Sequence, residues 1–238
     1  MRILITNDDG AYASQLPHLI RWCQKIGEVT TVVPKFEQSG KSHGIEIHKP
    51  FEAKQVELEP GLMIWTVDST PADCVRFAIL GLHLEFDLVI SGVNRGLNIG
   101  ADIMYSGTVS AACEAVNLGV KAVALSTPPK NYDHATEQLD KVYSFVIDNR
   151  LFELNNIYNI NIPANPKGIR ITRQGGPYYS DDFAAEENSM YRPCGKPIWA
   201  DSNDDNLDTD ATLHGYISVT PLTIDRTNLS VYHKLLNR

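Results

Sequence analysis

Two adjacent carboxylates, Asp8 and Asp9, follow directly on a short β-branched run, Arg2 to Thr6, and are themselves followed by Gly10. At the tip of a buried strand they repel each other and lose hydration, so they need a cation or several hydrogen-bond donors to offset their charge. Oxygen-bearing side chains recur in two later turns. One is Ser39-Gly40-Lys41-Ser42-His43, and the other runs from Gly92 to Gly100, with Asn94 and Asn98 set among glycines 92, 96 and 100. Such donors, with no cysteine or histidine beside the acidic pair, suit a hard divalent ion, Mg²⁺ or Mn²⁺, rather than zinc. The plainer alternative is an acidic turn in which Gly10 supplies the unusual backbone. A fourth segment, Tyr105-Ser106-Gly107-Thr108, precedes a helical stripe. Ser106 or Thr108 is suited to cap that helix, whose free N–H groups make an anion site. A dication beside a phosphate cradle is the equipment of phosphoryl chemistry.

These turns need a scaffold that brings them together. Arg2 to Thr6 and Glu28 to Val33 read as strands, separated by a helical stripe of Leu16, Leu19, Ile20 and Cys23 that Gly27 ends. The pattern repeats through Val75, Ala78, Ile79 and Leu82, then the strand Phe86 to Ser91. Next come Val109, Ala112, Cys113 and Val116 closed by Gly119, the strand Lys121 to Thr127, and a helix through Ala135, Leu139, Val142 and Val146. Such alternation predicts an α/β fold with a mostly parallel sheet covered by helices on both faces. Ligands of these sheets sit at the carboxyl ends of the strands, which is where all the acidic and glycine-rich turns fall.

Beyond about Pro163 the texture changes to short extended runs, Ile169 to Thr172, Ile198 to Trp199 and Tyr216 to Thr220, among glycine, proline and polar residues. Residues 1–163 are thus expected to form the core. Residues 164–238 are expected to form a β-rich extension, too poor in periodic apolar residues to stand alone, that docks on the sheet or on a partner chain. The acidic stretch Asp201 to Asp210 reads as a solvated loop.

The 238 residues suit one large core, and a hydrophobic fraction of 43% against 21% charged is that of a globular chain. A net charge of −8 disfavours a protein that grips nucleic-acid backbone. No run approaches the roughly 18 apolar residues of a membrane span, and no signal-peptide pattern opens the chain, so a cytoplasmic location is expected. Cys23, Cys74, Cys113 and Cys194 lack metal-site spacing and read as small buried hydrophobes. Three rival readings weaken on inspection. A phosphate-binding P-loop GxxxxGK(S/T) would need glycine where Lys35 stands; GxGxxG is missing; and a receiver domain would need an acceptor aspartate where Ser91-Gly92 stand, Asp87 lying at the wrong end of its strand. A non-catalytic nucleotide-binding protein stays open.

Taken in order, Asn7-Asp8-Asp9-Gly10, Ser39 to His43, Ser91 to Gly100 and Tyr105 to Thr108 resemble the survival-protein SurE nucleotidases. Thr209-Asp210-Ala211-Thr212 and Gly215 to Leu222 resemble that family's C-terminal signature, so the likeness spans nearly the whole chain. The resemblance implies a Rossmann-like three-layer core and a cytoplasmic 5′/3′-nucleotidase that dephosphorylates nucleoside monophosphates, with short polyphosphate as a further substrate. It also implies homo-oligomers, dimers or tetramers, built partly by exchanging C-terminal elements. Carried over by position, Asp8, Asp9, Ser39 and Asn94 would hold one divalent ion per subunit. Asn98, Ser106, Gly107 and Thr108 would line the phosphate pocket, with Asn7, Gly40 and His43 as further substrate contacts. Asp8 and Asp9 are the expected catalytic groups, one of them orienting a water or taking its proton. His43 is either a donor to the leaving alkoxide or a loop residue. The segment Ala11 to Leu16 departs from the proline- or glycine-containing run usual in the family, which bears on substrate preference more than on chemistry.

Overall fold

Strands that carry apolar side chains on both faces can be buried only in a sheet covered from both sides. The computed structural model, which describes residues 1–236, has that arrangement. Its strands are β1 (Arg2–Thr6), β2 (Glu28–Pro34), β3 (Ala53–Glu59), β4 (Leu62–Val67), β5 (Leu88–Arg95), β6 (Lys121–Thr127), β7 (Ile157–Asn161), β8 (Ile169–Ile171), β9 (Phe183–Ala185), β10 (Tyr191–Pro193) and β11 (Ile217–Pro221). The α-helices are α1 (Leu16–Cys23), α2 (Pro71–Arg76), α3 (Gly107–Asn117), α4 (Leu139–Asp148), α5 (Leu151–Leu154), α6 (Asp208–Leu213) and α7 (Leu229–Leu236). Nine strands form one sheet in the order β3-β4-β2-β1-β5-β6-β7-β11-β8, while β9 and β10 pair separately. The run from β4 to β7 is parallel; β3 is antiparallel to β4, and β11 to β7.

Period-two alternation sorts the core into two layers. Ile3, Ile5, Ile90, Val123, Leu125 and Ile160 face Leu16, Leu19 and Ile20 of α1 and Leu139, Val142 and Val146 of α4. Leu4, Val32, Val89, Ala122 and Ala124 face Cys74 and Val75 of α2 and Val109, Ala111, Ala112 and Ala115 of α3. The chain leaves β1 towards β2 on one side and returns to β5 on the other, so the loops after β1 and β5 flank the point where the sheet's winding reverses.

The α/β architecture agrees with the sequence expectation, and several details correct it. The third strand of the expected core is Leu88–Arg95 rather than Phe86 to Ser91, so Gly92 and Asn94 belong to β5 itself and not to the loop after it. The stripe Val75 to Leu82 is α2 followed by a wide π-type turn, Phe77–Gly81, and Ala135 lies in a 3₁₀ segment, Pro129–Gln138, that precedes α4. Ile198 and Trp199 form no strand. Of the cysteines, Cys23 and Cys74 are buried and Cys113 partly so, but Cys194 is exposed.

The largest correction concerns the acidic stretch. Asp208 and Asp210 are not solvated; both are buried in and around α6. Asp208 accepts the backbone N–H groups of Gly100 (3.1 Å) and Gly175 (2.8 Å). Asp210 accepts from Trp199 Nε1 (2.8 Å), from the Ser202 hydroxyl (2.6 Å) and N–H (3.0 Å), and from Asp204 N–H (3.1 Å). Burial alone would raise the pKa of Asp210, but the donors of Ser202, Trp199 and Asp204 outweigh it and hold the carboxyl at about 2. A carboxyl depressed in this way contributes stability that is full above its unfolded value and is lost as the pH falls towards 2. Asp210→Asn is therefore expected to lower the unfolding free energy by about 2 kcal/mol at pH 7. Urea denaturation of both proteins should show roughly half of that difference gone by pH 3.

Candidate active site

β1 ends in a turn that its own side chains build. Asn7 is buried and closes the turn on itself, donating from Nδ2 to the Gly10 carbonyl (3.0 Å) and accepting the Gly10 N–H at Oδ1 (3.1 Å). Gly10 has φ +87°, and a Cβ there would stand 2.9 Å from the Phe36 carbonyl carbon, so glycine is required. The turn throws Asp8 and Asp9 in different directions. Asp8 is 3% exposed and meets the start of α3, where Oδ1 accepts the Thr108 hydroxyl (2.6 Å) and Oδ2 the Thr108 N–H (3.3 Å). Asp9 is partly exposed, and its Oδ2 accepts the Arg95 N–H (2.9 Å) and the Tyr132 hydroxyl (3.3 Å).

Electrostatically the pair is under-compensated. Burial pushes the Asp8 carboxyl up in spite of Thr108. Burial, then the charge of Asp8, pushes Asp9 up to about 6. Glu37 raises both. Tyr132 is likewise raised, by burial and by Asp9. One buried and one partly exposed carboxylate with partial donor sets and a third acid nearby fit a divalent cation held by oxygen ligands.

The second loop is tied to the pair through its backbone, Gln38 N–H donating to the Asp8 carbonyl (2.7 Å). Ser39 shares with Asp9, Glu37, Tyr12, Arg95 and Tyr132 a cavity of about 470 Å³, and its hydroxyl donates to Glu37 (2.8 Å). Gly40, at φ +70°, has open space around it. On β5, Asn94 donates from Nδ2 to the Gly96 carbonyl (2.8 Å), which leaves its Oδ1 as the group available to a ligand. Asn98 is buried in a polar net. Its N–H donates to Asn161 Oδ1 and its Nδ2 to the Ser126 hydroxyl, while its carbonyl accepts from Asn159 and Asn161, all at 2.8 Å. Ser106, rather than Thr108, caps α3, accepting the Val109 N–H at 3.1 Å. Gly107 fits because a Cβ there would lie 3.0 Å from the Asp8 Cβ.

The structure thus brings Asp8 to Thr108 and Asp9 to Ser39 and to the Asn94-Arg95 end of β5. It does not bring His43 to them. His43 Nε2 lies 2.8 Å from Glu114 Oε2, Arg76 donates to the other oxygen of Glu114 (2.9 Å), and His43 lines a separate cavity of about 510 Å³ with Met104, Arg173 and Arg226. Asn7 serves the turn. Tyr132, Glu37, Glu114 and Asp208 were not picked out from the sequence; Tyr132 and Glu37 carried a signal, their places just after the carboxyl ends of β6 and β2.

Three comparisons bear on this geometry. Residues 3–181 match the family model described as "Survival protein SurE". The chain belongs to the SurE family. A "5'-nucleotidase SurE" of Natranaerobius thermophilus is 38% identical over a 258-residue alignment covering 100% of this chain and 98% of its own. Another, of Desulforudis audaxviator, is 37% identical over 240 residues, 96% of this chain and 93% of its own. The crystal structure of SurE protein from Aquifex aeolicus superposes with a TM-score of 0.78 at 32% identity, covering both chains entirely. Among the described residues no helix is long and apolar enough to cross a membrane.

The repulsion within the SurE acidic pair has a measurable consequence. In chelator, Asp9→Asn is expected to be more stable than the wild type at pH 7 by about 1–2 kcal/mol, because the uncharged amide removes a desolvated like charge. In saturating Mn²⁺ the order should reverse, as the wild type alone gains the binding increment, about 2.7 kcal/mol at a hundredfold excess over Kd. Urea melts under the two conditions measure both.

Proposed function

We propose that this SurE-family chain is a metal-dependent phosphomonoesterase that hydrolyses nucleoside 5′-monophosphates to nucleoside and phosphate. Nucleoside 3′-monophosphates and short polyphosphate are further substrates. The observation that carries the reading is Asp8, buried against the N-terminus of α3 beside a second raised carboxyl that opens on the cavity of Ser39 and Glu37. Its full-length relatives from Natranaerobius thermophilus and Desulforudis audaxviator are 5'-nucleotidases by name, which supports the same reaction here.

Asp8, Asp9, Ser39 and Asn94 would hold one Mg²⁺ or Mn²⁺. When bound, such an ion supplies Lewis acidity and charge neutralisation to a phosphoryl group. Asp9 is the half of the pair that reaches the open cavity, so it orients the attacking water and takes its proton. Asp8 is fixed by two bonds from Thr108 and serves as the buried anchor. The Gly107 N–H receives the phosphate, since those of Thr108 and Val109 are taken by Asp8 and Ser106, and the net around Asn98 fixes the opposite wall. His43, held by Glu114 in a different cavity, takes no part in the chemical step.

The C-terminal elements support the assembly half of the reading. α7 has no buried residue, and Leu229, Tyr232, Leu235 and Leu236 are exposed on it. β9 and β10 are exposed along their whole length. A partner subunit that receives α7 and the β9-β10 hairpin in exchange for its own would bury both, giving a dimer or tetramer.

Phosphate release from a panel of mononucleotides with Mg²⁺, Mn²⁺ or chelator tests the activity. Release with metal, none in chelator, and a loss of at least about a thousandfold in Asp9→Asn are expected; metal-independent release, or near-normal turnover in Asp9→Asn, would reject the assignment. For the assembly, sedimentation at micromolar concentration should give a dimer or larger, and a chain truncated before α7 should shift towards monomer. A full-length monomer would rule out the exchange.

A further inference from the structure

On the face covered by α1 and α4, the packing leaves a cavity of about 260 Å³ near the edge where β1, β5 and β6 begin, at the opposite end of the sheet from Asp8 and Asp9. Trp22, Ile90, Val123, Leu139, Val142 and Val146 wall it, and each is more than nine-tenths buried. The indole N–H of Trp22, the only polar side-chain group among these six, is taken up by Asp140 at 2.8 Å. These walls therefore offer a ligand nothing but carbon. The space exceeds the roughly 150 Å³ of an apolar cavity that stays dry and admits benzene, and at about 30 Å³ per methylene-sized group it corresponds to about eight carbons.

Charge at the mouth selects the head group. Alternation along β6 puts Lys121 on the same face as Val123 and Leu125. Its ammonium rests 5.8 Å over the Phe152 ring and, among the described residues, pairs with no carboxylate. Asp87 shares the mouth but is already engaged, accepting the Arg2 N–H (2.7 Å) and an Arg2 guanidinium N–H (3.4 Å); Arg2 also pairs with Glu85 (2.8 Å), and the Met1 ammonium, which acts on Asp87, offsets the second acid. One positive charge is left over at the entrance to an apolar chamber. We propose that this cavity binds a straight-chain carboxylate of about eight carbons, with its chain inside and its carboxylate on Lys121. The proposal is independent of the activity assigned to the acidic pair.

Calorimetric titration of the full chain with octanoate and, separately, with 1-octanol tests it, alongside a crystal soaked in 8-bromooctanoate. Saturable one-to-one binding of octanoate is expected, with an anomalous bromine peak among Val123, Val142 and Val146. Lys121→Met keeps the apolar stem at an exposed site, so it should weaken octanoate about fivefold, the upper scale of an exposed charge pair, and leave 1-octanol unchanged. Absence of saturable binding by the wild type at millimolar octanoate would overturn the proposal. So would equal octanoate affinity in Lys121→Met, or a bromine peak anywhere else.

Discussion

The close approach of α3 to the end of β1 is the constraint on which the site depends. Thr108 reaches both oxygens of Asp8 only because residue 107 has no side chain, and a Cβ there would already touch Asp8 and Pro71. The helix can come so near because the face it turns to the sheet is small: Ala111, Ala112 and Ala115 lie fully buried against the layer that contains Leu4, Val89 and Ala122. Packing chemistry several residues away therefore sets the distance between a carboxylate and a helix N-terminus. A helix pushed out by even one methylene would take the donors from Asp8 and leave that acid buried without them.

The opposite wall depends on residues remote in sequence. Gly100 ends the third loop at φ +61°, with its N–H on the buried Asp208 and no room for a side chain before the Gly176 carbonyl. Asn159 and Asn161, on β7, hold the Asn98 carbonyl, and β7 is in turn paired to β11. The segment after residue 163 thus adds two strands to the main sheet and clamps a loop that the first half of the chain has brought to the rim. Loop and clamp fold as one unit, because neither Asp208 nor the loop backbone it binds could be buried without the other.

Much of this was legible before any coordinates. Strand-helix alternation carries the architecture because each element buries a continuous stripe, and the stripes of α1 and α4 fall where the periodicity puts them; on α3 the expected Cys113 and Val116 are only partly buried, and Ala111 and Ala115 take the innermost places. The acidic pair was legible because two like charges at a strand end demand compensation whatever surrounds them. What was not legible is pairing at long range. β3 has only exposed and half-exposed residues and no apolar run, and although β4 is apolar along most of its length, nothing local to it encodes its antiparallel pairing with β3. Asp208 and Asp210 look identical in sequence to their solvated neighbours, since burial of a carboxylate depends on donors that arrive from Gly100, Gly175, Trp199 and Ser202. His43 fell in the right loop, yet the same chain segment folds it towards Glu114, a direction no local spacing encodes.

The buried acids of this chain divide by how well the protein supplies them. Asp210 receives donors from an indole, a hydroxyl and two backbone groups, enough to reverse the effect of burial and hold it ionised down to about pH 2. Asp9, less fully enclosed, receives one backbone N–H and one phenol, faces Asp8 and Glu37, and is pushed the other way, to about 6. Chains that bury a carboxylate for stability surround it with donors, because an unmet charge costs more than the fold gains from enclosing it. A pair left short of donors at the reversal point of a parallel sheet contributes nothing to stability there. Its retention at that place makes sense only if something from solution completes the shell, and the ligand-facing edge of the sheet is the one location where such a partner can enter and leave without unfolding the core.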